Sequence, residues 1–472
     1  KAFQTAHPTA TWYSYEPQDR SNVINGLRNS SGTPLEPIYD FTQAKVIVSL
    51  DSSFLSPEEQ PGALKYARDF AAGRRVVGLT GEMNRVYAFE STPTLVGVMA
   101  DHRWAVKSVA VPGIAGAIAE ALGINTIRTA VPQNVNRAHF AAMIEDLKLA
   151  GPNALVIAGP HQPWEVHALV ASINAALQSV AVKYISPVNA AYATAGIGDL
   201  KDALSSGSVD VLLVVGGNPA FDAPGDVEFE KNAKLAKHVI YLGRDQNETA
   251  ALAEWALPMT HPLEEWGDLR AYDGTVSIIQ PLIAPLFEGR SAIEVLSSLS
   301  GKPIAGYDIL KGYWQQAGMP GTGEFEARWR DFVHDGVIKN TAFVPKALPN
   351  VQVPAELPLG GTEIEVNFRP DPTIFDGRFA NNGWLQELPA PVTKLTWDNA
   401  AIMSMATAKK LGLTHEDVIN LEVGDKSVKI GVFLQPGQAD DSILINYGYG
   451  RTVGGAVATL WDREEVAEVL KN

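Results

Sequence analysis

The sequence contains no cysteine. A chain without cysteine cannot form disulfides, bind zinc or iron–sulfur clusters through thiolates, or use a thiol as a nucleophile. The absence of cysteine does not identify the cellular compartment, because cytosolic proteins and exported proteins without disulfides can both lack it. Cysteine-based redox and metal chemistry is therefore excluded from these 472 residues.

Basic charge and long apolar runs are also scarce. Lys and Arg number 38 against 53 Asp and Glu, which gives a formal net charge of −15. No nucleic-acid partner is expected, because such binding depends on cations that neutralise phosphates. No run approaches the roughly 18 apolar residues of a membrane-spanning helix, and runs such as 211–215 have the length of a strand. We expect membrane contact only through a partner.

The composition is that of a large globular protein. Hydrophobic residues make up 46% of the chain and charged residues 19%, enough apolar material for a packed core. At about 100–200 residues per domain, the length predicts about three domains. The first residue is Lys1 rather than Met, and no signal-peptide apolar region follows it. We expect a processed or incompletely represented N-terminus.

Alternation of strand and helix patterns predicts the fold of the first 300 residues. The run 45–51 is β-branched and ends in Asp51, and further strand patterns occupy 154–159, 209–217 and 238–242, with helical patterns between them. Strands separated by helices pair in parallel through right-handed crossovers. The sequence therefore predicts an α/β fold with doubly wound, mainly parallel sheets.

The pattern changes after about residue 300. Prolines and glycines punctuate 345–361, and beyond them short alternating strands surround one helix at 407–411. This pattern predicts a C-terminal β-barrel domain. The predicted domain bounds are 1–111 (α/β, with an incomplete start), 112–300 (doubly wound α/β), 301–362 (helical segment and connector) and 363–472 (β-barrel).

Common catalytic signatures are missing. The sequence has no Walker A loop, no His-Glu-x-x-His helix and no Gly-x-Ser-x-Gly elbow. His161 and His167 are six residues apart, which does not suit helical metal ligands at i,i+3 or i,i+4. Surface or core roles are expected for both histidines. No catalytic or metal-binding residue is predicted.

Two glycines follow an apolar strand pattern at the sequence Gly216-Gly217-Asn218-Pro219. Glycines at the carboxyl end of a parallel strand allow backbone N–H groups to approach a ligand, and Asn tolerates unusual dihedral angles. The same residues also suit a tight strand-to-loop turn without a ligand. Both interpretations stay open from these four residues alone.

Longer strings around this loop resemble the molybdopterin oxidoreductase superfamily. The similar segments, in chain order, are 216–219, 245–250, 255–258, 264–268, 272–276, 407–418 and 435–437. In that family the equivalent succession surrounds a pterin guanine dinucleotide. The resemblance implies a vestigial pterin pocket formed by Gly216, Gly217, Asn218, Pro219, Asp245, Thr249 and Glu265.

A second, more specific resemblance is carried by sequence strings from nearly the whole chain. These strings are similar to the large molybdopterin-oxidoreductase-like subunit of alternative complex III, and they lie at 15–17, 48–55, 65–71, 83–87, 90–94, 99–103, 368–372, 376–389 and 395–400. The sequence diverges from that family after Arg451. The family's cluster-bearing part is also missing here, since it requires cysteines.

The resemblance implies a molybdopterin-like scaffold without cofactor in a complex that oxidises quinol and reduces a cytochrome c or blue-copper acceptor, in respiration or photosynthesis. The implied partners are an iron–sulfur domain or subunit that carries the clusters, a multihaem cytochrome and integral membrane quinol-binding subunits. The implied location is the periplasmic side of the bacterial cytoplasmic membrane.

Two other functions stay open. One is a catalytically active molybdopterin oxidoreductase, which would bind molybdopterin guanine dinucleotide and use a Ser or Asp ligand, because Cys is absent. The other is a non-catalytic assembly or binding module with the same fold. Arg378, Asn381 and Asn382, beside Trp384, suit either an anion or partner site or an ordered loop.

Overall fold

The computed structural model describes residues 2–459 except 77, 79–80, 189–194, 362 and 425. Residues 460–472 of the predicted last domain therefore lie outside the described residues. The strands, in chain order, are β1 (Glu36–Tyr39), β2 (Val46–Leu50), β3 (Arg85–Glu90), β4 (His102–Ala105), β5 (Ala154–Ala158), β6 (Val182–Ile185), β7 (Val211–Val215), β8 (His238–Gly243), β9 (Trp255–Pro258), β10 (Gly267–Arg270), β11 (Val276–Ile279), β12 (Val337–Ile338), β13 (Glu365–Pro370), β14 (Ala400–Met403), β15 (Val418–Val423), β16 (Lys426–Leu434) and β17 (Ser442–Tyr447).

The α-helices precede, separate and follow these strands. In chain order they are α1 (Ala2–Ala6), α2 (Ser21–Ser31), α3 (Ala63–Arg74), α4 (Leu95–Met99), α5 (Val111–Ala121), α6 (Arg137–Ala150), α7 (Trp164–Ala176), α8 (Ile197–Ser205), α9 (Pro219–Asp222), α10 (Phe229–Ala233), α11 (Glu248–Leu252), α12 (Ala292–Leu299), α13 (Gly306–Ala317), α14 (Phe325–Asp335), α15 (Gly383–Glu387), α16 (Met405–Leu411) and α17 (Gly455–Ala458). None of the described helices is long and apolar enough to cross a membrane.

A four-stranded parallel sheet with the order β4-β3-β2-β5 forms the first core. Every residue of β2 and β5 is buried. Val48 and Val156 pack into the cluster on one face, and Ile47 and Leu155 pack into the cluster on the other. Helices cover both faces, which explains the continuous apolar strand patterns and confirms the predicted parallel pairing.

The direction of chain progression reverses inside this sheet. The chain runs outward from β2 through β3 to β4 and then returns to the other side of β2 as β5. The carboxyl ends of β2 and β5 therefore flank a topological switch point, where open α/β sheets commonly bind ligands.

A second parallel sheet has the order β7-β8-β9. Its pairing confirms the parallel arrangement predicted for 209–217 and 238–242. The strand β7 lies at an edge, however, and Val211 is exposed, although the apolar pattern of this strand is typical of a buried one. After β9 the antiparallel sheet β10-β11-β12 packs on α13 and α14 around Trp314 and Trp329.

The C-terminal strands form a five-stranded mixed sheet with the order β13-β17-β14-β16-β15. The pairs β13–β17 and β14–β16 are parallel, and β15–β16 is antiparallel. The predicted β-barrel is not shown, because barrel closure requires edge strands to pair and β13 and β15 do not pair with each other within the described residues. Alternating patterns at 363–368, 418–423, 427–433 and 443–447 identified four of these strands, missed β14 and carried no information on closure. The predicted domain bounds stay predictions.

Candidate functional site

The Gly216–Pro219 loop leaves β7 at the carboxyl edge of the second parallel sheet. Gly216 and Gly217 have φ values of 67° and 70°, in the left-handed region that favours glycine. The chain then begins α9, with Pro219 at its first position. The carbonyl oxygen of Gly217 accepts a hydrogen bond from the hydroxyl of Tyr241, at 3.1 Å. The backbone conformation of the turn thus favours glycine at both positions, as the turn interpretation requires.

Asn218 links the loop to the start of α11. Its Nδ2 donates to Glu248 Oε2 at 2.7 Å, and its Oδ1 accepts from the N–H and the hydroxyl of Thr249 at 3.1 and 2.9 Å. Thr249 Oγ1 in turn accepts from the N–H of Ala220, at 3.1 Å. Asn218 and Thr249 are both buried. The structure therefore brings these two predicted site residues together, but their side chains bond each other.

The C-terminal segment covers Glu248. The Nε of Arg451 donates to both carboxylate oxygens at 3.1 Å, and the N–H groups of Thr452 and Val453 donate to Oε1 at 2.8 and 3.0 Å. Burial tends to raise the pKa of Glu248, but the hydrogen bonds from Arg451 and Val453 outweigh it and lower the pKa to about 2. Glu248 is therefore ionised and fully engaged at neutral pH.

Arg451 is held as firmly as its partner. It donates from Nη1 to the carbonyl oxygen of Gly377 at 2.8 Å, and its guanidinium lies 5.0 Å from the ring centroid of Phe221. It is 8% exposed. Neither Glu248 nor Arg451 was predicted as a site residue. They are 203 positions apart in the chain, so no local sequence pattern could predict that they pair.

Asp245 and Glu265 lie apart from this network. Asp245 is exposed and has no hydrogen bond to the Gly216–Pro219 loop within the described residues. Glu265 accepts a hydrogen bond from the hydroxyl of Thr260. The structure thus joins part of the predicted pocket and leaves these two carboxylates outside it.

The side chains of this loop do not fit a pterin guanine dinucleotide as they stand. Such a group carries an anionic diphosphate and a guanine, which need donors and acceptors that have no protein partner. Here Asn218, Glu248 and Thr249 bond each other, and residues 451–453 bond the Glu248 carboxylate. A ligand would have to open these bonds first.

A second polar cluster fills the topological switch point of the first sheet. Asp51 follows β2 with φ 54°, in the left-handed region, and is completely buried. Its Oδ1 accepts from Nη2 of Arg369 at 2.6 Å, and its Oδ2 lies 3.0 Å from Nε2 of His161, which follows β5. Arg369 also donates from Nη1 to Glu59, at 3.1 Å. The side chain of Arg369 comes from β13, in the C-terminal sheet.

The charges in this cluster depend on one another. Burial tends to raise the pKa of Asp51, but the Arg369 guanidinium and the hydrogen bond with His161 hold it well below its usual range. Burial tends to lower the pKa of Arg369, and Asp51 and Glu59 raise it. Both groups are charged in the folded protein. The chain thus places its own guanidinium where an α/β sheet commonly binds a ligand.

Close packing supports this arrangement. A Cβ atom added to Gly159 would stand 2.1 Å from the backbone oxygen of Asp51, so the two strand ends meet too closely for a side chain at this position. Glu90, at the carboxyl end of β3, pairs with Arg103, and burial raises its pKa. The carboxyl edge of this sheet is therefore a closely packed polar layer with buried ion pairs, in which Glu59 Oε2, Gln162 Oε1 and Arg369 Nε have no hydrogen-bond partner.

The remaining candidates have structural partners. His167 is buried, which lowers its pKa to about 3, and the described residues contain no group of three His, Asp or Glu that could hold a metal ion. Arg378 donates from Nε to Asp376 at 2.9 Å. Asn381 accepts from the N–H of Val457 at 3.2 Å. Arg378 and Asn381 therefore hold an ordered loop together.

Comparison with known proteins adds two findings, although no protein-family model matches the chain. The chain is 24% identical over 278 residues to the menaquinone reductase, molybdopterin-binding-like subunit of Nitratidesulfovibrio vulgaris, a match that covers 51% of this chain and 36% of that subunit. The chain thus spans about a third of the length of the curated relative that it matches.

The second finding concerns the fold. The structure is similar to that of acetylene hydratase from Pelobacter acetylenicus, with a TM-score of 0.63 and 13% sequence identity, over 92% of this chain and 74% of that one. At this identity the likeness shows the fold alone. Together, the two comparisons support the resemblance to the molybdopterin oxidoreductase superfamily and leave the resemblance to alternative complex III unconfirmed.

Proposed function

We propose that this chain is a molybdopterin-like scaffold, without a cofactor of its own, in a quinol-oxidising electron-transfer complex similar to alternative complex III. One observation carries the proposal. Asn218, the polar side chain of the predicted pterin loop, bonds Glu248 and Thr249, and Glu248 in turn bonds Arg451 of the chain's own C-terminal segment. Because the polar groups around the loop are hydrogen-bonded within the chain, the fold does not need a ligand to provide their partners.

The comparisons support the electron-transfer part of the proposal. The curated relative is named as a subunit of a menaquinone reductase and as molybdopterin-binding-like. A quinone-linked complex therefore suits this chain as well. The absence of cysteine excludes thiolate-bound clusters from these residues, so the clusters would belong to an iron–sulfur domain or partner chain.

The other partners follow from the same resemblance. They are a multihaem cytochrome and integral membrane subunits that bind quinol, with a cytochrome c or blue-copper protein as electron acceptor. The place of action would be the periplasmic side of the bacterial cytoplasmic membrane, and this chain would reach the membrane through its partners.

The test is purification of the intact particle in mild detergent through a tag on this chain. The proposal expects cluster-containing, haem-containing and membrane subunits to co-purify, and the particle to reduce a soluble acceptor with quinol. A chain that purifies alone under these conditions would contradict the complex and favour an independent binding module.

A second function, an active molybdopterin oxidoreductase, is favoured by one feature of the same sheet edge. Arg244 directly follows β8, is exposed and has no hydrogen bond or ion pair within the described residues. A cation at this edge would suit an anionic dinucleotide. The same purified particle distinguishes the two functions, because only the active enzyme would contain molybdenum or tungsten with a pterin.

A further inference from the structure

Large apolar side chains are exposed together in the segment that follows β9. We call these residues the apolar surface: Leu263 is 47% exposed, Leu282 76%, Ile283 48%, Leu286 70% and Phe287 80%. Single exposed apolar residues are common on proteins and need no explanation. Five within one segment of 25 positions do need one.

Hydrogen bonds of the backbone N–H groups hold the apolar surface in a defined shape. The carbonyl oxygen of Leu263 accepts from the N–H groups of Leu282 and Ile283, at 2.7 and 3.2 Å. The N–H of Leu286 donates to Glu264 Oε1, at 3.0 Å. The two strips of chain that carry the apolar residues are thus fixed to each other, and the surface exists before any partner binds.

The size of the apolar surface suits a protein interface. With about 150–200 Å² for a large, fully exposed apolar side chain, its five residues expose about 500–600 Å². The largest apolar patch on a typical monomer is about 300–600 Å², and such patches are often functional. A standard interface buries about 800 Å² on each partner, so the apolar surface would form the greater part of one contact.

The charges around the apolar surface indicate what it contacts. Residues 274–287 contain no charged side chain, whereas Glu264, whose carboxylate accepts from the N–H of Leu286, and Glu288, directly after Phe287, flank the apolar residues. Depletion of charge at the centre with polar residues at the rim is the usual arrangement of a protein interface. The acidic rim complements a basic partner.

We propose that the apolar surface is the docking site for a partner protein whose contact face has an apolar centre and a rim of Lys and Arg. The proposal rests on the proposed function in one respect, because it takes the chain to work inside an assembly. A bacterial membrane is disfavoured as the occupant, since its anionic lipids would repel the acidic rim.

The test uses the full chain and its native particle. The double variant Leu282→Asp with Phe287→Asp replaces two anchors by charges, and the matched control, Leu64→Asp with Leu149→Asp, changes two exposed leucines of α3 and α6. Loss of central apolar anchors commonly weakens an interface by about 30-fold or more. We expect that loss of partner retention for the first variant only, with thermal unfolding of both close to that of the unchanged chain.

A photo-crosslinking amino acid in place of Phe287 identifies the partner. The proposal expects a crosslink to another subunit, at a peptide with apolar residues flanked by Lys or Arg. A crosslink to a second copy of this chain, or flotation of the purified chain with anionic phospholipid vesicles, would overturn it. An assembly that survives the double variant contradicts the docking site alone. An unchanged chain that purifies without partners contradicts both this proposal and the proposed function.

Discussion

Arg369 is the cation that joins the C-terminal sheet to the switch point of the first sheet, and its removal should cost most of the stability of that contact. Arg369→Met keeps an unbranched apolar stem but removes the guanidinium, which leaves Asp51 and Glu59 buried without their cation. Asp51 is completely buried and Arg369 is 4% exposed, so water cannot replace the lost bonds. Breaking a buried ion pair by removing one partner costs about 3–5 kcal/mol.

Other contacts of Asp51 bring the expected loss to the lower end of that range. The carboxylate keeps the N–H of Ser91 at 3.1 Å and Nε2 of Gln162 at 3.3 Å. We therefore expect the free energy of unfolding to fall by about 3 kcal/mol. For a domain of about 150–250 residues, this corresponds to a midpoint about 6–12 °C lower.

The assay is thermal and urea unfolding at several pH values, with Lys410→Met as the control. Lys410 pairs with Asp441 at the surface, where such a pair contributes at most about 1 kcal/mol. Because the folded pKa of Asp51 is lowered, its contribution is full above the unfolded pKa of about 3.9 and is lost as the pH falls below it. The effect of Arg369→Met should thus be largest at pH 7 and shrink at pH 3.

A loss at pH 7 no larger than that of the control would show that the Arg369 ion pairs do not carry this stability. So would a loss that stays constant between pH 7 and pH 3, because the cost is attributed to ionised, unpaired carboxylates.

Three further predictions concern single positions. Glu248→Gln should destabilise the fold by about 1–3 kcal/mol, because Arg451 loses its charged partner. Since the folded pKa of Glu248 is about 2, the difference from the unchanged chain should shrink as the pH falls from 5 to 2. Gly159→Ala should destabilise by several kcal/mol through backbone overlap. Asp222→Asn should stabilise the chain more at pH 8 than at pH 5, since burial and then nearby carboxylates raise the pKa of Asp222 to about 7.

Unfolding measurements check all three. Gly198→Ala, on α8, is the control for Gly159→Ala, because its added Cβ would meet nothing within 4 Å; equal effects would contradict the packing argument. For Glu248→Gln, a pH-independent difference would count against the pairing with Arg451. For Asp222→Asn, the raised pKa means that the stability of the unchanged chain falls as the pH rises toward 7. An equal effect of the substitution at pH 5 and pH 8 would count against a raised pKa of Asp222.

Local patterns predicted the parts of the fold that local forces determine. The β-branched run at 45–51 and the apolar run at 154–159 became neighbouring buried strands, since such runs satisfy both faces of a parallel sheet. One of the helical patterns between the predicted strands, at 140–149, forms as α6. Four of the five C-terminal strands were also found, but β14 was missed. Strand pairing depends on distant partners, and the open mixed sheet was not predicted.

The candidate site was predicted only in part for the same reason. The Gly216–Pro219 loop and Thr249 do meet, and the resemblance identified them together. The partners that close the site and the switch point, Arg451 and Arg369, lie 203 and 318 positions from Glu248 and Asp51. The sequence signal for the second cluster was the position of Asp51 at the end of a predicted strand.

The central claim is that this chain is a scaffold whose pterin loop is satisfied by its own residues. The most direct measurement is the molybdenum, tungsten and pterin content of the native particle purified through this chain, by elemental analysis and by fluorescence of the oxidised pterin. For a scaffold chain we expect far less than one equivalent of metal or pterin for each chain, with haem and iron present from the partners. Stoichiometric molybdenum or tungsten with bound pterin would contradict it.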